Sequence, residues 1–214
     1  RRKSSVTSSH STVAIDALTG KQVWKHEIEY APDVFKMACC GLLNRGVAIL
    51  NGKLCRGTLD SHLLALDAKT GKQLWKVQVI DYKLGHAMTG APLIANGVLM
   101  TGIAGGEYGT RGFIDGWDPE TGKHLWRTYT TAAGSEKGAD TWPGDTAQKG
   151  GAPTWLTGAY DPDLDLVYWG TGNGGPWNAV VRKGDNLYIC TVIAFKPKTG
   201  EIAYGFAKYL RDAL

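Results

Sequence analysis

The sequence has 214 residues, of which 43% are apolar and 21% charged, as in ordinary folded globular proteins, so a disordered chain is excluded. The formal net charge is +4, but the basic residues are scattered singly through turns, which argues against a nucleic-acid-binding surface. No apolar run approaches the roughly 20 residues that a transmembrane helix needs, and no apolar segment follows the opening RRK as in a secretory signal.

The glycine content is high, with 29 residues, and the chain has 8 tryptophans but only 4 phenylalanines. This balance favours an all-β protein with many tight turns and recurring tryptophan positions. It also suggests an internal repeat, which sets the architecture before any single residue is interpreted.

One module occurs four times along the chain. Its copies are AIDALTGKQVWKH from Ala14, ALDAKTGKQLWKV from Ala65, GWDPETGKHLWRT from Gly116 and a weaker AFKPKTGEIAYGF from Ala194. The first three copies start 51 residues apart and the last follows after 78, so the last repeat contains an insertion of about 27 residues.

Each copy predicts a β-hairpin in which a T-G turn separates two short strands. A second hairpin is predicted upstream, around Asn51-Gly52 and Asn96-Gly97. Four short strands in about 50 residues are typical of a β-propeller blade. The last strand of each blade ends in Trp24, Trp75 or Trp126, and we expect these indoles to pack against the next blade.

Blades of this kind bury their faces by stacking into a ring. The chain supplies roughly four of them, so we predict one partial β-propeller domain over residues 1–214, belonging to a larger ring of eight blades. The first copy is expected to begin at its third strand. The repeats are placed near residues 5–30, 45–80, 92–130 and 155–206.

The chain has four cysteines, and two of them, Cys39 and Cys40, are adjacent. A chance pair of buried thiols needs no explanation, whereas an oxidised pair would close a strained eight-membered ring of the kind found at functional sites. Cys55 and Cys190 fall in predicted strands, and we expect both to be small buried apolar residues.

The repeats, together with CCGLLNRG, GIAGGEYGTRG and YDPDLDLVYWGTGNGGPWN, resemble the quinoprotein alcohol dehydrogenases over nearly all of Ser5 to Phe206. These enzymes bind pyrroloquinoline quinone (PQQ) and include the methanol and ethanol dehydrogenases. The repeat alone is weak evidence, because non-catalytic propellers that serve as scaffolds for protein interactions share it. A sugar-oxidising or other quinoprotein is the third alternative.

The resemblance implies a cofactor site with a ring disulfide between Cys39 and Cys40 lying over one face of the quinone. It further implies that Arg45 binds the quinone, that Thr89 bonds a cofactor carboxylate and that Trp155 stacks on the opposite face. The simpler alternatives are a solvated loop charge for Arg45, a strand end for Thr89 and a core indole for Trp155.

The same resemblance implies a cation site beside the quinone. Ala104, Gly105 and Gly106 are small, so their backbone amides can approach a ligand. Glu107 matches a bidentate metal ligand and Asn173 a second ligand, against the alternatives of a surface glutamate and an ordinary turn. Carboxylate, amide and quinone oxygens suit Ca²⁺ or a trivalent lanthanide, not zinc or copper.

The implied reaction is the oxidation of primary alcohols to aldehydes, with electrons passed to a cytochrome c. The catalytic residue stays unknown, because the family's His-Asp-x-Trp-Asp segment has no match and Asp212 lacks its neighbours. No C-x-x-C-H haem site occurs. Neither the alcohol nor the metal is decided. The implied disulfide predicts a periplasmic location. We expect the full-length protein to form a homodimer. We expect the isolated chain to bind PQQ weakly and not to oxidise alcohols.

Overall fold

The computed structural model describes residues 3–38 and 41–207, with side chains for 8–38 and 41–205. The described chain forms four antiparallel sheets, in sequence order. The first two contain β1 (Lys3–Thr7), β2 (Ser11–Asp16) and β3 (Gln22–Glu27), then β4 (Ala48–Leu50), β5 (Lys53–Gly57), β6 (His62–Asp67) and β7 (Gln73–Gln78). The others contain β8 (Leu93–Ala95), β9 (Val98–Gly102), β10 (Phe113–Trp117) and β11 (His124–Tyr129), then β12 (Ala159–Asp161), β13 (Leu166–Gly170), β14 (Thr191–Phe195) and β15 (Ile202–Ala207).

Helical structure in the described residues is confined to short connections. It comprises α1 (Val34–Met37) and 3₁₀ turns at Tyr82–Leu84, Gly106–Tyr108, Ala139–Thr141 and Thr146–Lys149. No helix in the described part of the chain has the length and apolar character needed to cross a bilayer. The four sheets, with helices only in the connections, confirm the prediction of an all-β propeller built from repeated blades.

Neighbouring strands in each sheet are consecutive in sequence, so every blade is an up-and-down meander. The two predicted Asn-Gly hairpins are present, with φ of 48° at Asn51 and 45° at Asn96 and positive φ at the glycines that follow. These angles are those of two-residue hairpin turns that match the twist of the strands.

The first sheet differs from the prediction. We expected the first copy to begin at its third strand, but β1 pairs with β2 ahead of it, so that sheet holds three strands. The segment of β1 is short and rich in serine, and therefore lacks the alternation of apolar and polar residues that marks a strand in sequence.

The tryptophans of the last strands join one blade to the next, as predicted, but the expectation that each strand ends at its tryptophan was wrong, since every one continues for three more residues. Each indole lies against the turn glycine of the following repeat, so closely that an added Cβ would come within 3 Å of the ring. The pairs are Trp24 on Gly71, Trp75 on Gly122 and Trp126 on Gly200. The indole nitrogen of Trp24 also donates to the Ala68 carbonyl at 3.3 Å, and that of Trp126 to the Pro197 carbonyl at 3.0 Å.

Replacing Trp24 with alanine is expected to lower the free energy of unfolding by about 3 kcal/mol, because it removes a large buried side chain and leaves a cavity at a blade interface. Chemical denaturation of the two proteins measures the difference. Leu18 is the matched control, since it lies in the same repeat with 84% of its surface exposed, and Leu18→Ala should change stability by less than about 0.5 kcal/mol. Equal losses in both variants would contradict the packing role of Trp24.

The predictions for the two separate cysteines had different outcomes. Cys55 is fully buried in β5, and burial raises the pKa of its thiol to about 12. The prediction for Cys190 was wrong: it is exposed, has a φ of 46° and lies in the connection just before β14 begins at Thr191. A residue outside the pleat does not share the alternating burial of the strand that follows it.

Because the strands of each blade alternate in direction, their connections fall at two opposite ends of the sheets. One end holds the hairpin turns, including the Asn-Gly turns. The other end, which we call the connection face, holds residues 28–47, 58–61, 79–92, 103–112, 130–158 and 171–190. The extra length of the last repeat is divided between 130–158 and 171–190, both of which lie on this face.

Candidate functional site

Six of the predicted site residues line one cavity of about 110 Å³ on the connection face: Arg45, Thr89, Ala104, Gly105, Glu107 and Trp155. They come from four different connections, so the fold and not the local sequence brings them together. A larger cleft of about 830 Å³ lies between the third and fourth sheets and contains none of the predicted residues. We therefore take the smaller cavity as the candidate site.

The guanidinium of Arg45 lies between two other connections. Its backbone N–H and its Nη1 both donate to the Thr89 carbonyl, at 3.1 and 3.3 Å. Its Cζ is 4.8 Å from the centroid of the Trp155 ring, within the range of a cation–π contact. Arg45 is exposed at the cavity, whereas Thr89 is buried. The charge is therefore held in place but open to an anionic ligand.

Asn44 holds the loop that carries Arg45, and the sequence analysis missed it. Its Oδ1 accepts a hydrogen bond from the Gly46 N–H at 3.1 Å, and its Nδ2 donates to the Gly57 carbonyl at 3.3 Å. The bond to an N–H two residues on is the local turn that asparagine commonly makes. The sequence Asn-Arg-Gly is consistent with this local turn. The bond to Gly57 at the end of β5 could be identified only from the tertiary structure.

Trp155 is positioned by close backbone packing against the segment that follows Thr89. A Cβ added to Gly90 would lie 2.7 Å from the Trp155 carbonyl oxygen, so only glycine fits there. Two residues after Trp155, the Thr157 hydroxyl donates to the carbonyl of Ala91, the residue that follows Gly90, at 2.8 Å. The half-buried indole is thus fixed at the cavity wall.

Glu107 projects from a turn that glycine alone can form. Gly105 has a φ of 120°, and an added Cβ would lie 2.0 Å from the Gly85 carbonyl oxygen. A Cβ on Gly106 would lie 2.6 Å from Cδ of Pro153. Glu107 itself is exposed within the 3₁₀ turn Gly106–Tyr108. The carboxylate is presented to the cavity on a tightly packed backbone.

Asn173 does not line the cavity, but its loop contacts the turn of Glu107, since a Cβ added to Gly175 would lie 3.2 Å from the Gly106 carbonyl oxygen. The preceding residue, Gly172, packs on Pro153 with an added Cβ 2.9 Å from Cγ, so Gly106 and Gly172 contact the same proline ring. The Asn173 side chain is half-buried, and its Nδ2 donates to the Gly174 carbonyl at 3.3 Å. Glu107 and Asn173, the two predicted cation ligands, therefore each follow a glycine that packs on Pro153.

The donor set suits a hard cation. Among the described residues, no group of three or more His, Cys, Asp or Glu side chains is placed to hold a metal. A site here would draw on one carboxylate, one amide oxygen and the oxygens of a bound cofactor, which are the ligands of Ca²⁺-like ions. Cys39 and Cys40 lie outside the described residues, so the ring disulfide stays a prediction.

His86, to which we assigned no role from sequence, is buried three residues before Thr89 and lines a cavity other than the candidate site. Neither ring nitrogen has a hydrogen-bond partner, and the ring packs on Phe113 with centroids 5.8 Å apart. Burial lowers the pKa of His86, so the imidazole is neutral at neutral pH.

Comparisons with known proteins identify the family of the chain. A family model described as the glucose/ethanol/alcohol dehydrogenase β-propeller domain, PQQ, matches residues 5–212. The quinohemoprotein alcohol dehydrogenase ADH IIB of Pseudomonas putida is 43% identical over 91% of this chain and 30% of its own length. The lanthanide-dependent methanol dehydrogenase of Methylacidiphilum fumariolicum (strain SolV) is 39% identical over 86% of this chain and 33% of its own length.

Among solved structures, a europium-containing methanol dehydrogenase matches with a TM-score of 0.90 at 35% identity, over 96% of this chain and 40% of that one. The chain thus spans 30% and 33% of the lengths of the two curated relatives. The repeats, the sheet order and a family match over most of the chain lead to one conclusion. The chain belongs to the family of PQQ β-propeller domains of glucose, ethanol and alcohol dehydrogenases.

Proposed function

We propose that this chain supplies part of the cofactor face of a PQQ-dependent alcohol dehydrogenase that oxidises primary alcohols to aldehydes. The observation that carries the proposal is the convergence of Arg45, Thr89, Glu107 and Trp155 on one cavity from four separate connections. A scaffold propeller needs the repeats and the tryptophan contacts, but it has no need for a carboxylate, a guanidinium and an indole around one cavity.

The cavity suits a flat, anionic, oxygen-rich cofactor. The Trp155 ring offers an aromatic face, and Arg45, 4.8 Å above it, offers a planar donor for carboxylate or quinone oxygens. The wall at Ala104 and Gly105 has little or no side chain, which lets a ligand approach the backbone. Thr89, which also lines the cavity, is a further polar residue there.

PQQ, when bound, supplies an electrophilic carbonyl that accepts two electrons and a hydrogen from the alcohol carbon. The chain's own residues contribute orientation and charge. Arg45 fixes the anionic edge of the ring system through charge-assisted hydrogen bonds, and Trp155 restricts the ring to one plane. Glu107 and Asn173 would hold the cation that polarises the carbonyl as a Lewis acid.

The cation is Ca²⁺ or a trivalent lanthanide in this proposal. Glu107 and Asn173 offer oxygen atoms only, and the names of two similar proteins mention a lanthanide and europium. Hard ions with flexible coordination prefer such donors. The residue that removes the proton of the alcohol remains unassigned.

The remaining proposals concern the surroundings of the enzyme. A disulfide between Cys39 and Cys40 would persist only in an oxidising compartment, which supports the periplasm. A cytochrome c is the proposed electron acceptor, and the description of one relative as a quinohemoprotein supports haem as the next redox group. The homodimer stays a prediction.

The test is a dye-linked assay on the full-length protein purified without cofactor. Addition of PQQ with Ca²⁺ or with La³⁺ should produce oxidation of primary alcohols that depends on both additions, with the matching aldehyde as the product. Dye reduction without PQQ, or PQQ-dependent activity on sugars but not on primary alcohols, would contradict the proposal.

A further inference from the structure

Residues 150–152, which belong to the long connection before the fourth sheet, run between the two loops that carry the predicted cation ligands. On one side they pair in parallel with the loop of Glu107. The Gly112 N–H donates to the Gly151 carbonyl at 2.8 Å, and the Gly151 N–H donates to the Thr110 carbonyl at 3.0 Å. Two backbone hydrogen bonds therefore join residues 150–152 to the loop that carries Glu107.

On the other side the same residues pair in antiparallel fashion with the loop of Asn173. The Ala152 N–H donates to the Asn173 carbonyl at 2.9 Å, and the Gly175 N–H donates to the Gly150 carbonyl at 2.8 Å. The three segments make a small sheet with residues 150–152 in the middle. Two strand spacings of about 4.8 Å then separate residues 110–112 from residues 173–175 by roughly 10 Å. The turn of Glu107 folds back toward the third segment, since a Cβ added to Gly175 would lie 3.2 Å from the Gly106 carbonyl oxygen.

Gly151 is the residue at which this spacing is most constrained. Its φ is 74°, and an added Cβ would lie 2.8 Å from both the Asn173 carbonyl oxygen and the Gly175 nitrogen. The next residue is also held, because the Thr130 hydroxyl donates to the Ala152 carbonyl at 2.6 Å. The middle segment can move neither toward Asn173 nor along its own axis without losing hydrogen bonds.

We propose that residues 150–152 form a spacer strand that fixes the Asn173 backbone relative to the loop of Glu107, so that Gly151 is a positioning residue for the ionic radius the pair accepts. This inference rests on the proposed cation site. Selectivity among hard cations depends on cavity size and on the rigidity of the ligands. Backbone hydrogen bonds on both sides of residues 150–152 hold Asn173 more rigidly than a free loop would.

The test measures a ratio of affinities. Dissociation constants for La³⁺ and Lu³⁺, which share a charge but differ in radius, are determined by calorimetry on the full-length protein loaded with PQQ. In Gly151→Ala the new methyl group pushes the Asn173 backbone outward. The ratio should therefore shift toward the larger ion by about tenfold, the scale of substitutions that orient metal ligands.

Gly144→Ala is the matched control. Gly144 lies in the same connection with a φ of 57°, but an added Cβ would meet nothing within 4 Å. It therefore carries similar backbone strain without the contact to Asn173, and its La³⁺ to Lu³⁺ ratio should stay at the wild-type value. A general loss of stability would weaken both ions by the same factor and leave the ratio unchanged.

Thr130→Val provides a second test in case Gly151→Ala does not fold. It removes the hydroxyl bond to the Ala152 carbonyl without adding strain, and it should also alter the ratio. An unchanged ratio in the folded variants overturns the inference while the proposed function stands. If the wild-type protein with PQQ binds neither ion, the proposed cation site fails, and the inference fails with it.

Discussion

Glu107→Gln in the full-length protein is expected to reduce alcohol oxidation at least about a thousandfold. The substitution keeps the size of the side chain but removes the only carboxylate among the described residues that line the cavity. Loss of Lewis-acid stabilisation worth about 4 kcal/mol corresponds to about three orders of magnitude in rate. Steady-state assays with PQQ and the preferred cation measure the effect, and titration of the cation should show weakened binding.

Glu120→Gln is the control for this variant. Glu120 is also exposed, but it lies at the opposite end of the sheets, where it pairs with Lys53. Its replacement should leave activity and cation affinity within about twofold of wild type, since single surface ion pairs contribute little. Full activity in Glu107→Gln, with undiminished cation binding, would remove the carboxylate from the proposed site.

Arg45→Ala is expected to weaken PQQ binding by about 10- to 150-fold. The guanidinium is the only cation that lines the cavity within the described residues, and a hydrogen bond to a charged group contributes about 1.5–3 kcal/mol. Spectrophotometric titration of the cofactor-free protein with PQQ gives the dissociation constant directly.

Two further variants separate charge from geometry. Arg45→Lys keeps the charge but loses the planar donor pair, and it should recover only part of the affinity. Lys36→Ala removes an exposed cation from α1 in the same connection and should have no more than about a twofold effect. Equal affinities in Arg45→Ala and wild type would exclude Arg45 from cofactor binding.

The repeats made most of the fold predictable. The T-G turns and the Asn-Gly turns are local signals, because positive φ at glycine or asparagine is required there and few other residues permit it. The packing of Trp24 against the next blade could be inferred only because the same motif recurs at a fixed spacing, and its contact with Gly71 required the structure. A single copy would not have revealed a packing partner more than forty residues away.

What the sequence did not reveal lies where local patterns are weak. The serine-rich strand β1 has no alternation of apolar and polar residues, and it is a strand because β2 pairs with it. Cys190 follows a run of polar and apolar residues that resembles a strand, but the strand starts one residue later. Boundaries of this kind are set by hydrogen bonding to a neighbour and not by the residue itself.

The candidate site shows the same division. Six predicted residues meet at one cavity, but their identification came from resemblance to a family, not from any spacing that local chemistry dictates. Asn44, Gly90 and Gly151 were not identified, because each acts through a contact with a distant part of the chain. A glycine required by a neighbouring backbone cannot be distinguished by sequence from a glycine required by a turn.

The central claim is that Arg45, Trp155, Glu107 and Asn173 surround one cofactor and one cation. A crystal structure of the full-length protein with PQQ and a lanthanide, with the ion located by anomalous scattering, tests it most directly. The account predicts the ion bound by the Glu107 carboxylate and Asn173 Oδ1, and the quinone ring stacked on Trp155 beside Arg45. An ion bound away from Glu107 and Asn173, or a cofactor remote from Trp155, would contradict it.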